Sequence, residues 1–376
     1  MSDVPMIEWE ERGERHRARW RSEGGAPVPA RVVVADDTLT ADAAYRLACE
    51  GTALLWRADF HNGRQLLQAM ARRADRKARK PAKDTAEAFH LHRQAQAQRA
   101  RTLGMLLIPF DAGHHIPLRR APDVGEACTQ VYGEADAPYV ASLRELQGLI
   151  GAFEWRKKGV EIAALDGRIH PYYGVFSPVR GEYVELVAKA PLPAGAALAF
   201  DIGTGTGVLA AMLAKRGLAR IVASEQDPRA LACAADNLAR LGVAERVELA
   251  QVDLFPAGQA DLIVCNPPWV PARPSSAIEH AVYDPDSRML RGFLAGLAAH
   301  LAPRGEGWLI LSDFAEHLGL RSREHLLGWI EAGGLVVRDR LDIRPRHPKA
   351  MDQNDPLHAA RRAEVTSLWR LGVKDA

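Results

Sequence analysis

Apolar segments and helical segments alternate along the second half of this 376-residue chain, and no other sequence feature constrains the fold as much. Seven strands are predicted, at residues 196–200, 220–224, 247–252, 261–265, 307–311, 335–343 and 365–371. Helices are predicted between them, at residues 208–216, 228–241, 288–301 and 323–332. Such alternation builds parallel strands, because each crossover helix returns the chain to the starting edge of the sheet. We expect an α/β fold with a seven-stranded, mostly parallel sheet, whose last two strands are joined by a long polar loop without an obvious helix.

The first half of the chain is less regular and predicts a separate, mixed α/β domain. Strands are predicted at residues 32–34, 53–56 and 105–108, and helices at 65–80 and 85–103. Apolar residues at spacings of three and four predict a further helix over residues 143–153. An Asp-Gly pair between residues 160–165 and 168–176 predicts a β-hairpin. We place a domain boundary near residue 155, which separates residues 1–155 from residues 156–376.

A glycine-rich loop follows the first predicted strand of the second half and opens the next helix. Asp201 stands two residues before Gly203, and Gly205 and Gly207 complete a G-x-G-x-G spacing. Glycines at such a turn let the backbone bend tightly and approach a ligand closely. The dinucleotide spacing G-x-G-x-x-G would need glycine where Val208 stands. We therefore favour a ligand site over a purely structural turn, and the carboxylate of Asp201 suits a ligand that carries an ammonium group.

Acidic residues also end the next two predicted strands. Glu225 lies 22 residues after Gly203, where a carboxylate can accept hydrogen bonds from both ribose hydroxyls. Asp253 lies at the following strand end and could accept a hydrogen bond from an adenine amino group, with Phe255 packed near that ring. Each acid alone is typical of a solvated strand end. Together, at the carboxyl edge of a parallel sheet, they predict a nucleoside site.

The most informative stretch follows the fourth predicted strand and reads Asn266-Pro267-Pro268-Trp269. Two consecutive prolines fix the backbone and supply no amide hydrogens. The side-chain carbonyl of Asn266 and the main-chain carbonyl of Pro267 can therefore both point at one NH₂ group. Trp269 offers a flat face on which a planar group can stack. A proline-stiffened surface turn is the alternative, and it is the weaker one because this turn shares the sheet edge of the glycine loop.

With these motifs, residues 196–271 resemble the core of class I S-adenosylmethionine-dependent methyltransferases that carry an (Asn/Asp)-Pro-Pro-aromatic motif. The stretches FDIGTGTGVLAAML, EQDPRALACAADNLARLGV, VELAQVDLF and DLIVCNPPW are similar to release-factor glutamine methyltransferases and to base-amine methyltransferases of ribosomal RNA or DNA. The resemblance implies a Rossmann-like methyltransferase sheet and S-adenosylmethionine as cofactor. It implies that the donor is held by Asp201, Gly203, Gly205, Gly207, Glu225 and Asp253. It also implies that Asn266 positions the target nitrogen.

The same resemblance implies a mechanism and one more donor contact. The acceptor NH₂ attacks the methyl group in line. Asn266 and Pro267 accept hydrogen bonds from its two N–H groups and stabilise the positive charge that develops on nitrogen. The donor is already activated, so no metal is expected. Residues 170–178 resemble the segment that covers the methionine end of the donor in this group of enzymes, with Phe176 and Ser177 as candidates. A hairpin arm that packs its aromatic side chains on the core is the alternative.

The chain departs from the release-factor enzymes in three places. Trp269 replaces the commoner tyrosine, which keeps the stacking face but loses the phenolic hydroxyl. Residues 1–155 are longer than the small helical domain of those enzymes, and residues 344–362 form a loop that they lack.

Two smaller features are ambiguous: we expect the pair at 114–115, His-His, to be a surface turn, and residues 284–287 to shape the substrate mouth or to cap a helix.

Composition places the chain among ordinary globular proteins, with 47% hydrophobic and 26% charged residues and a net charge of +2. Such a small net charge gives no global field of the kind that marks a nucleic-acid binder. No apolar run is long enough to span a bilayer, and the charged N-terminus has no apolar signal-peptide core. The four cysteines form no CxxC pair, which argues against a zinc site and against a disulfide framework. We expect a cytoplasmic protein with no membrane or metal partner.

The sequence leaves the substrate open between an exocyclic amine of an RNA base and a glutamine side-chain amide of a protein. Residues 64–101 contain eleven Arg or Lys and three acids, which suits phosphate binding or a solvated helix face. This run favours RNA slightly, with residues 1–155 recognising the substrate and residues 156–376 carrying the chemistry. Two interpretations of another class are a nucleotide- or nicotinamide-binding module without methyl transfer and an inactive adaptor. Val208 and the Asn-Pro-Pro-Trp motif argue against the first, and the intact motif set argues against the second.

Overall fold

The computed structural model describes residues 4–76, 81–178, 181–274, 279, 281–346, 352–353 and 355–374. The chain divides into two units, one made of residues 1–81 and 90–154 and the other of residues 82–89 and 155–376. Each unit has a sheet of its own. Residues 82–89 therefore belong to the C-terminal unit, although they lie within the first half of the sequence.

The N-terminal unit is built on a six-stranded mixed sheet. Its strands are β1 (Met6–Glu11), β2 (Glu14–Trp20), β3 (Arg31–Ala35), β4 (Thr52–Trp56), β5 (Leu106–Phe110) and β6 (Tyr139–Ser142), in the spatial order β1-β2-β6-β5-β4-β3. The helices of this half of the chain are α1 (Ala41–Cys49), α2 (Phe60–Asp75), α3 (Thr85–Gly104), α4 (Gly125–Tyr132) and α5 (Leu143–Lys158). Every residue of β4 and β5 is buried, so these strands form the centre of the unit.

Strands β3, β4 and β5 confirm the three strands predicted in this half, but β1, β2 and β6 were not predicted. The β1–β2 hairpin is mostly charged, and its buried apolar residues are few: Ile7, Ala18 and Trp20. Its turn places Arg12 and Gly13 at positive φ, where Asn-Gly or Asp-Gly is the usual signal. Helix α2 begins five residues before its predicted start, because Asp59 caps it by accepting a hydrogen bond from the N–H of His61 at 2.9 Å.

The C-terminal unit is built on a seven-stranded mixed sheet with a small hairpin before it. After the hairpin of β7 (Val160–Ile162) and β8 (Gly167–Ile169), the sheet strands are β9 (Leu198–Ile202), β10 (Arg220–Glu225), β11 (Val247–Gln251), β12 (Ala260–Cys265), β13 (Leu301–Ser312), β14 (Leu335–Ile343) and β15 (Thr366–Val373). The helices are α6 (Glu182–Lys189), α7 (Val208–Lys215), α8 (Pro228–Arg240), α9 (Arg288–His300), α10 (Phe314–His317), α11 (Arg323–Ala332) and α12 (His358–Ala363). The seven predicted strands and four predicted helices of this half are thereby confirmed.

The strand order of this sheet is β11-β10-β9-β12-β13-β15-β14. The neighbours from β11 to β13 are parallel, and β15 pairs antiparallel with both β13 and β14, so the sheet is mixed. Successive residues of its strands point to opposite faces. Ala199 and Leu262 pack with α6 and α7 on one face, while Phe200 and Ile263 pack with α9 and α11 on the other. Both faces are therefore covered by helices, as parallel strands require.

Three predictions for connecting segments are wrong in part. The hairpin's second strand ends at Ile169 instead of reaching residue 176, and its turn spans a short helical turn at 163–165 before Asp166, whose φ is 45°. The last two sheet strands are joined through a helix, α12, because Leu357 and Ala360 are buried and hold that segment on the unit. His114 is not on a surface turn.

The His114 side chain is 2% exposed. Its Nδ1 lies 2.8 Å from the hydroxyl oxygen of Tyr139, and its Nε2 lies 2.8 Å from the carbonyl oxygen of Gly133. Two hydrogen bonds satisfy both ring nitrogens, so this histidine is a core residue of the N-terminal unit. His115 is exposed, as predicted.

Candidate functional site

The carboxyl ends of three parallel strands bring the predicted site residues to one edge of the seven-stranded sheet. β9 pairs with β10 on one side and with β12 on the other, and Asp201 lies in register with Ala223 and Val264. The glycine loop follows β9, Glu225 is the last residue of β10, and Asn266 directly follows β12. The strand order reverses between β9 and β12, and open α/β sheets bind their ligands at the carboxyl edge of such a reversal.

The glycine loop turns through three left-handed glycines. Gly203, Gly205 and Gly207 have φ values of 70°, 55° and 79°. The N–H groups of Gly203 and Thr204 both donate to the carbonyl oxygen of Ser224 at 2.9 Å, which ties the loop to the end of β10. A Cβ atom added at Gly205 would meet no heavy atom within 4 Å. The tip of the loop therefore exposes backbone to open space, as a close approach to a ligand requires.

Asp201 is 1% exposed and lies beneath the loop. Its Oδ2 accepts hydrogen bonds from the Thr204 hydroxyl at 2.7 Å and from the N–H of Ala210 at 3.0 Å. Burial raises the pKa of Asp201 to about 6, the two hydrogen bonds oppose that rise, and the nearby charge of Glu225 adds to it. This carboxylate orders the loop and carries a charge that a cationic ligand group would stabilise.

Glu225 closes the other side of the loop. One of its carboxylate oxygens accepts a hydrogen bond from the N–H of Gly205 at 3.2 Å. The other accepts from the N–H groups of Gln226 at 2.8 Å and Asp227 at 3.2 Å. Its position is thus fixed by backbone donors on two segments, and one lone pair, on the oxygen bonded to Gly205, remains for a hydroxyl donor of a ligand.

Asp253 and Phe255 lie beyond the end of β11 and make contacts within the chain. The Asp253 oxygens accept hydrogen bonds from Gln226 Nε2 at 2.6 Å and from Arg288 Nη2 at 3.0 Å, and half of its side chain is exposed. The Phe255 ring stacks on His300 of α9, with ring centroids 4.3 Å apart. Asp253 is therefore held at the edge of the site, whereas Phe255 packs against a helix that covers one face of the sheet.

The segment before α6 supplies one unsatisfied polar atom. Phe176 is partly buried and packs against the core on the α6–α7 face of the sheet. The neighbouring Ser177 Oγ is buried, and within the described parts of the chain it has no hydrogen-bond partner. Buried hydroxyls normally have one, so Ser177 is a polar group that suits a ligand. The packing of Phe176 fits the alternative of an aromatic arm on the core. The unsatisfied hydroxyl of Ser177 fits the prediction that this segment contacts the donor.

Asn266 and Trp269 are joined by a hydrogen bond. The indole nitrogen of Trp269 donates to Asn266 Oδ1 at 2.9 Å. Trp269 is partly buried and packs against three apolar clusters, which involve both sheet faces and the segment around Phe314. Much of its surface is therefore occupied by the protein. Asn266 Oδ1 has two lone pairs, so one remains for a substrate N–H after the indole has used the other.

Asp284 supports the chain that follows this motif. Its N–H donates to the carbonyl oxygen of Val270 at 2.9 Å. Its carboxylate accepts hydrogen bonds from the N–H groups of Met289 at 3.0 Å and Leu290 at 3.2 Å, so it caps α9. Burial raises the pKa of this carboxyl group, and the backbone donors oppose that rise. The helix-cap alternative for residues 284–287 is thereby confirmed.

Asn237 is a buried polar residue that supports the glycine loop, and this role was not predicted from the sequence. Its Oδ1 accepts a hydrogen bond from the N–H of His170 at 2.7 Å, and its Nδ2 donates to the carbonyl oxygen of Thr206 at 3.0 Å. It thus connects the segment before α6 with the glycine loop. It lies on the buried face of α8 with Cys233 and Leu238, so the available signal was an amide at a position where the helical period requires an apolar residue.

The basic run at residues 64–101 lies on α2 and α3, and its residues 77–80 are outside the described ranges. Arg73 is paired with Asp42, and Arg99 is paired with Asp75 at 2.7 Å. Arg64, Arg72 and Arg76 are exposed and recur at multiples of four residues, which places them on one face of α2. The run therefore contains both paired arginines and an exposed stripe.

The described residues contain no candidate for two other kinds of site. No group of three or more His, Cys, Asp or Glu side chains is placed to hold a metal ion there. No helix in these ranges is both long and apolar enough to cross a membrane.

One protein family matches the part of the chain that forms this site. The methyltransferase small domain family matches residues 170–320, the part of the chain that contains the glycine loop, the three acidic strand ends and the Asn-Pro-Pro-Trp motif. Residues of the C-terminal unit therefore account for the whole match.

Three relatives are named for three different substrates. A release factor glutamine methyltransferase of Cereibacter sphaeroides is 35% identical over 191 residues, which are 47% of this chain and 64% of the relative. A tRNA1(Val) (adenine(37)-N6)-methyltransferase of Shewanella loihica is 34% identical over 215 residues, 53% of this chain and 85% of the relative. A ribosomal protein L11 methyltransferase of Pelotomaculum thermopropionicum is 42% identical over 85 residues, 22% of this chain and 27% of the relative. The chain thus spans less than two thirds of the first and third of these proteins.

Proposed function

This chain belongs to the S-adenosylmethionine-dependent methyltransferases that carry the methyltransferase small domain, and from that membership we propose that it methylates a planar NH₂ group of a macromolecule. The preferred acceptor is the exocyclic amine of an RNA base. A glutamine side-chain amide of a protein is the second candidate. The relatives' names support both, since they include a tRNA adenine enzyme and a release factor glutamine enzyme.

One observation carries the proposal: Asn266 directly follows β12, beside the strand that leads into the glycine loop. Cys265, the residue before it, lies in register with Ile202, the residue before Gly203. The acceptor-binding amide and the loop are therefore at adjacent strand ends. A donor on the loop and an acceptor at Asn266 would meet without any movement of the sheet.

The residues around the glycine loop fit S-adenosylmethionine. Gly205 exposes backbone toward open space, Glu225 keeps one lone pair for a ribose hydroxyl, and Asp201 provides a negative charge for an ammonium group. The unsatisfied Ser177 Oγ adds a polar atom in the segment that resembles the one covering the methionine end of the donor. When bound, S-adenosylmethionine supplies an electrophilic methyl group, and the chain's own residues hold it and the acceptor.

The chain's catalytic task is positioning. Asn266 Oδ1 and the main-chain carbonyl oxygen of Pro267 accept hydrogen bonds from the two N–H groups of the acceptor. The nitrogen lone pair then points away from these two oxygens. The same two oxygens stabilise positive charge as it develops on that nitrogen. Trp269 holds the amide in place through its hydrogen bond to Oδ1. No side chain has to remove a proton before the transfer, because the NH₂ nitrogen carries its own lone pair.

The preference for RNA rests on the exposed arginines of α2, which suit a phosphate backbone. On this proposal residues 1–155 select the substrate and residues 156–376 perform the reaction. All four cysteines are free, which suits the reducing cytoplasm as the compartment. A nucleotide-binding module without methyl transfer remains the candidate from another class, and the Asn266–Trp269 arrangement disfavours it because such a module needs no acceptor site.

The proposal is tested with donor carrying a radiolabelled methyl group. Purified protein is incubated with bulk RNA and, separately, with total protein from cells that lack the gene, so that the target sites are unmethylated. Label in RNA that survives protease and is lost with ribonuclease supports an RNA amine. Label only in protein selects the glutamine-amide candidate, and tight donor binding without label in either fraction rejects methyl transfer.

A further inference from the structure

Arg321 is a buried cation that the proposed reaction does not use. It lies in the turn between α10 and α11 and is 4% exposed. Its Nε and Nη2 atoms are both buried, and no atom of the described residues forms a hydrogen bond with either. Buried side-chain donors are almost always paired, so this arginine needs an explanation.

The nearby carboxylates do not provide that partner. Burial lowers the pKa of Arg321, and the charges of Glu316 and Asp284 act against that effect. The Asp284 carboxylate, however, accepts hydrogen bonds from two backbone N–H groups at the start of α9. Both oxygens of Glu316 accept from Arg323 Nε at 2.9 Å. The charges of these two acids therefore stabilise the guanidinium, but their oxygens accept hydrogen bonds from other donors.

The two unpaired nitrogens have a particular geometry. Nε and Nη2 form one edge of the planar guanidinium, and that edge donates two parallel hydrogen bonds to two oxygens of one anion. Phosphate and carboxylate groups both match this spacing. The unsatisfied atoms of Arg321 thus constitute a complete bidentate oxyanion-binding edge.

Arg321 is connected to the acceptor motif through shared neighbours. An apolar cluster at this end of the unit comprises Phe89, Val270, Phe314, Leu318, Leu357 and Ala360. Trp269 packs against this cluster, and so does Leu320, the residue before Arg321. Asp284, whose charge acts on Arg321, is bonded through its N–H to Val270, one residue after the motif. The residue before Arg321 and the last residue of the acceptor motif therefore pack on the same cluster.

We propose that the Nε–Nη2 edge of Arg321 binds a backbone phosphate of an RNA substrate next to the base held at Asn266, an inference that rests on the proposed function. Every nucleotide carries a phosphate one sugar away from its base, whereas a glutamine in a protein has no constant anionic neighbour. A built-in oxyanion edge beside the acceptor site thus fits RNA. Both nitrogens are covered from solvent, so the covering side chains shift when the phosphate binds.

The test compares Arg321→Met and Arg321→Lys with a matched control, Arg361→Gln. Arg361 belongs to a helix on the same cluster and is also largely buried, but it is paired with Asp355 at 2.7 Å. Affinity for bulk tRNA is measured across a KCl series, and the thermal midpoint is measured without RNA. Arg321→Met should weaken tRNA binding on the order of ten- to a hundredfold and lower the salt slope by about 0.7–0.9.

The same variant should keep or raise the thermal midpoint, because it removes an unpaired buried charge. Arg321→Lys should keep the salt slope and lose affinity, since it retains the charge without the bidentate edge. Arg361→Gln should lower the thermal midpoint and bind tRNA as the wild type does. The inference fails if Arg321→Met binds tRNA with unchanged affinity and slope, or if its loss of affinity only follows a loss of stability. The proposed function fails separately, if wild-type protein labels neither RNA nor protein.

Discussion

The indole nitrogen of Trp269 lies 2.9 Å from the side-chain oxygen of Asn266, so the last residue of the motif holds the first. An asparagine amide can rotate by half a turn and present its NH₂ group instead of its oxygen. The indole N–H is a donor only, and it pairs favourably with the oxygen alone. Trp269 therefore fixes which end of Asn266 is available to an acceptor amine.

Trp269→Phe should lower kcat about two- to twelvefold, the worth of one neutral hydrogen bond, with the KM for the donor unchanged. The aromatic packing is largely kept, so the loss reports on the orientation of Asn266. Trp155→Phe is the control, because Trp155 is 51% exposed and distant in sequence from the motif. Equal kcat values for wild type and Trp269→Phe would show that the hydrogen bond does not position the amide.

Asn266→Ala should lower kcat by about a hundredfold or more, while donor affinity measured by calorimetry stays near the wild-type value. The acceptor loses its side-chain partner, whereas the predicted donor contacts lie on other strand ends. Asn266→Asp should retain measurable activity, because a carboxylate oxygen still accepts an N–H bond. Near-wild-type turnover by Asn266→Ala would remove Asn266 from its assigned role.

Glu225→Ala should weaken donor binding by about 1.5–3 kcal/mol, since it removes hydrogen bonds to a charged acceptor. Asp227→Ala is the matched control: Asp227 caps α8 through the N–H of Arg229, so its loss should reduce stability and leave donor affinity intact. Titration of wild-type protein with NAD should give no comparable binding. Binding of NAD without binding of the donor would overturn the cofactor assignment.

The raised pKa of Asp201, about 6 against an ordinary value of 3.8, predicts a pH dependence. Between these values the folded chain holds a proton that the unfolded chain releases, so the Asp201 contribution to stability decreases as the pH rises through about 6. Donor binding should change in the opposite direction, because the ammonium group needs the ionised form. Donor affinity should fall about tenfold between pH 7 and pH 5 in the wild type.

Asp201→Asn should bind the donor weakly and lack this pH dependence. Calorimetric titration of both proteins across the pH range measures the difference. The same decline in both would assign the pH effect to another group.

Replacing Arg64, Arg72 and Arg76 together with Gln should lower the salt slope of bulk tRNA binding by about two units, if each contacts a phosphate. Donor binding should not change. Arg73→Gln and Arg99→Gln are the controls, since each of these arginines already pairs with an acid. Identical slopes for the triple variant and the wild type would move the glutamine-amide substrate to first place.

Local sequence signals predicted most of the C-terminal sheet. The strand that ends at Ile202 and the helix that begins at Pro228 were predicted within a few residues, because hydrophobic period and a proline at the first helical turn are local signals. The β1–β2 hairpin escaped prediction because its charged residues are balanced by only three buried apolar ones. Its partners, moreover, lie more than a hundred residues away in β6.

The sequence by itself determined the glycine loop, the acidic strand ends and the acceptor motif, since each depends on residue types at short, fixed spacing. Only the tertiary structure decided how they are held. Asn237 joins the segment before α6 to the glycine loop, and this depends on an amide finding two backbone partners 31 and 67 residues away in sequence. The Arg321 edge that has no partner among the described residues is likewise invisible in the sequence, because only the folded chain shows that the oxygens of Asp284 and Glu316 already accept other hydrogen bonds.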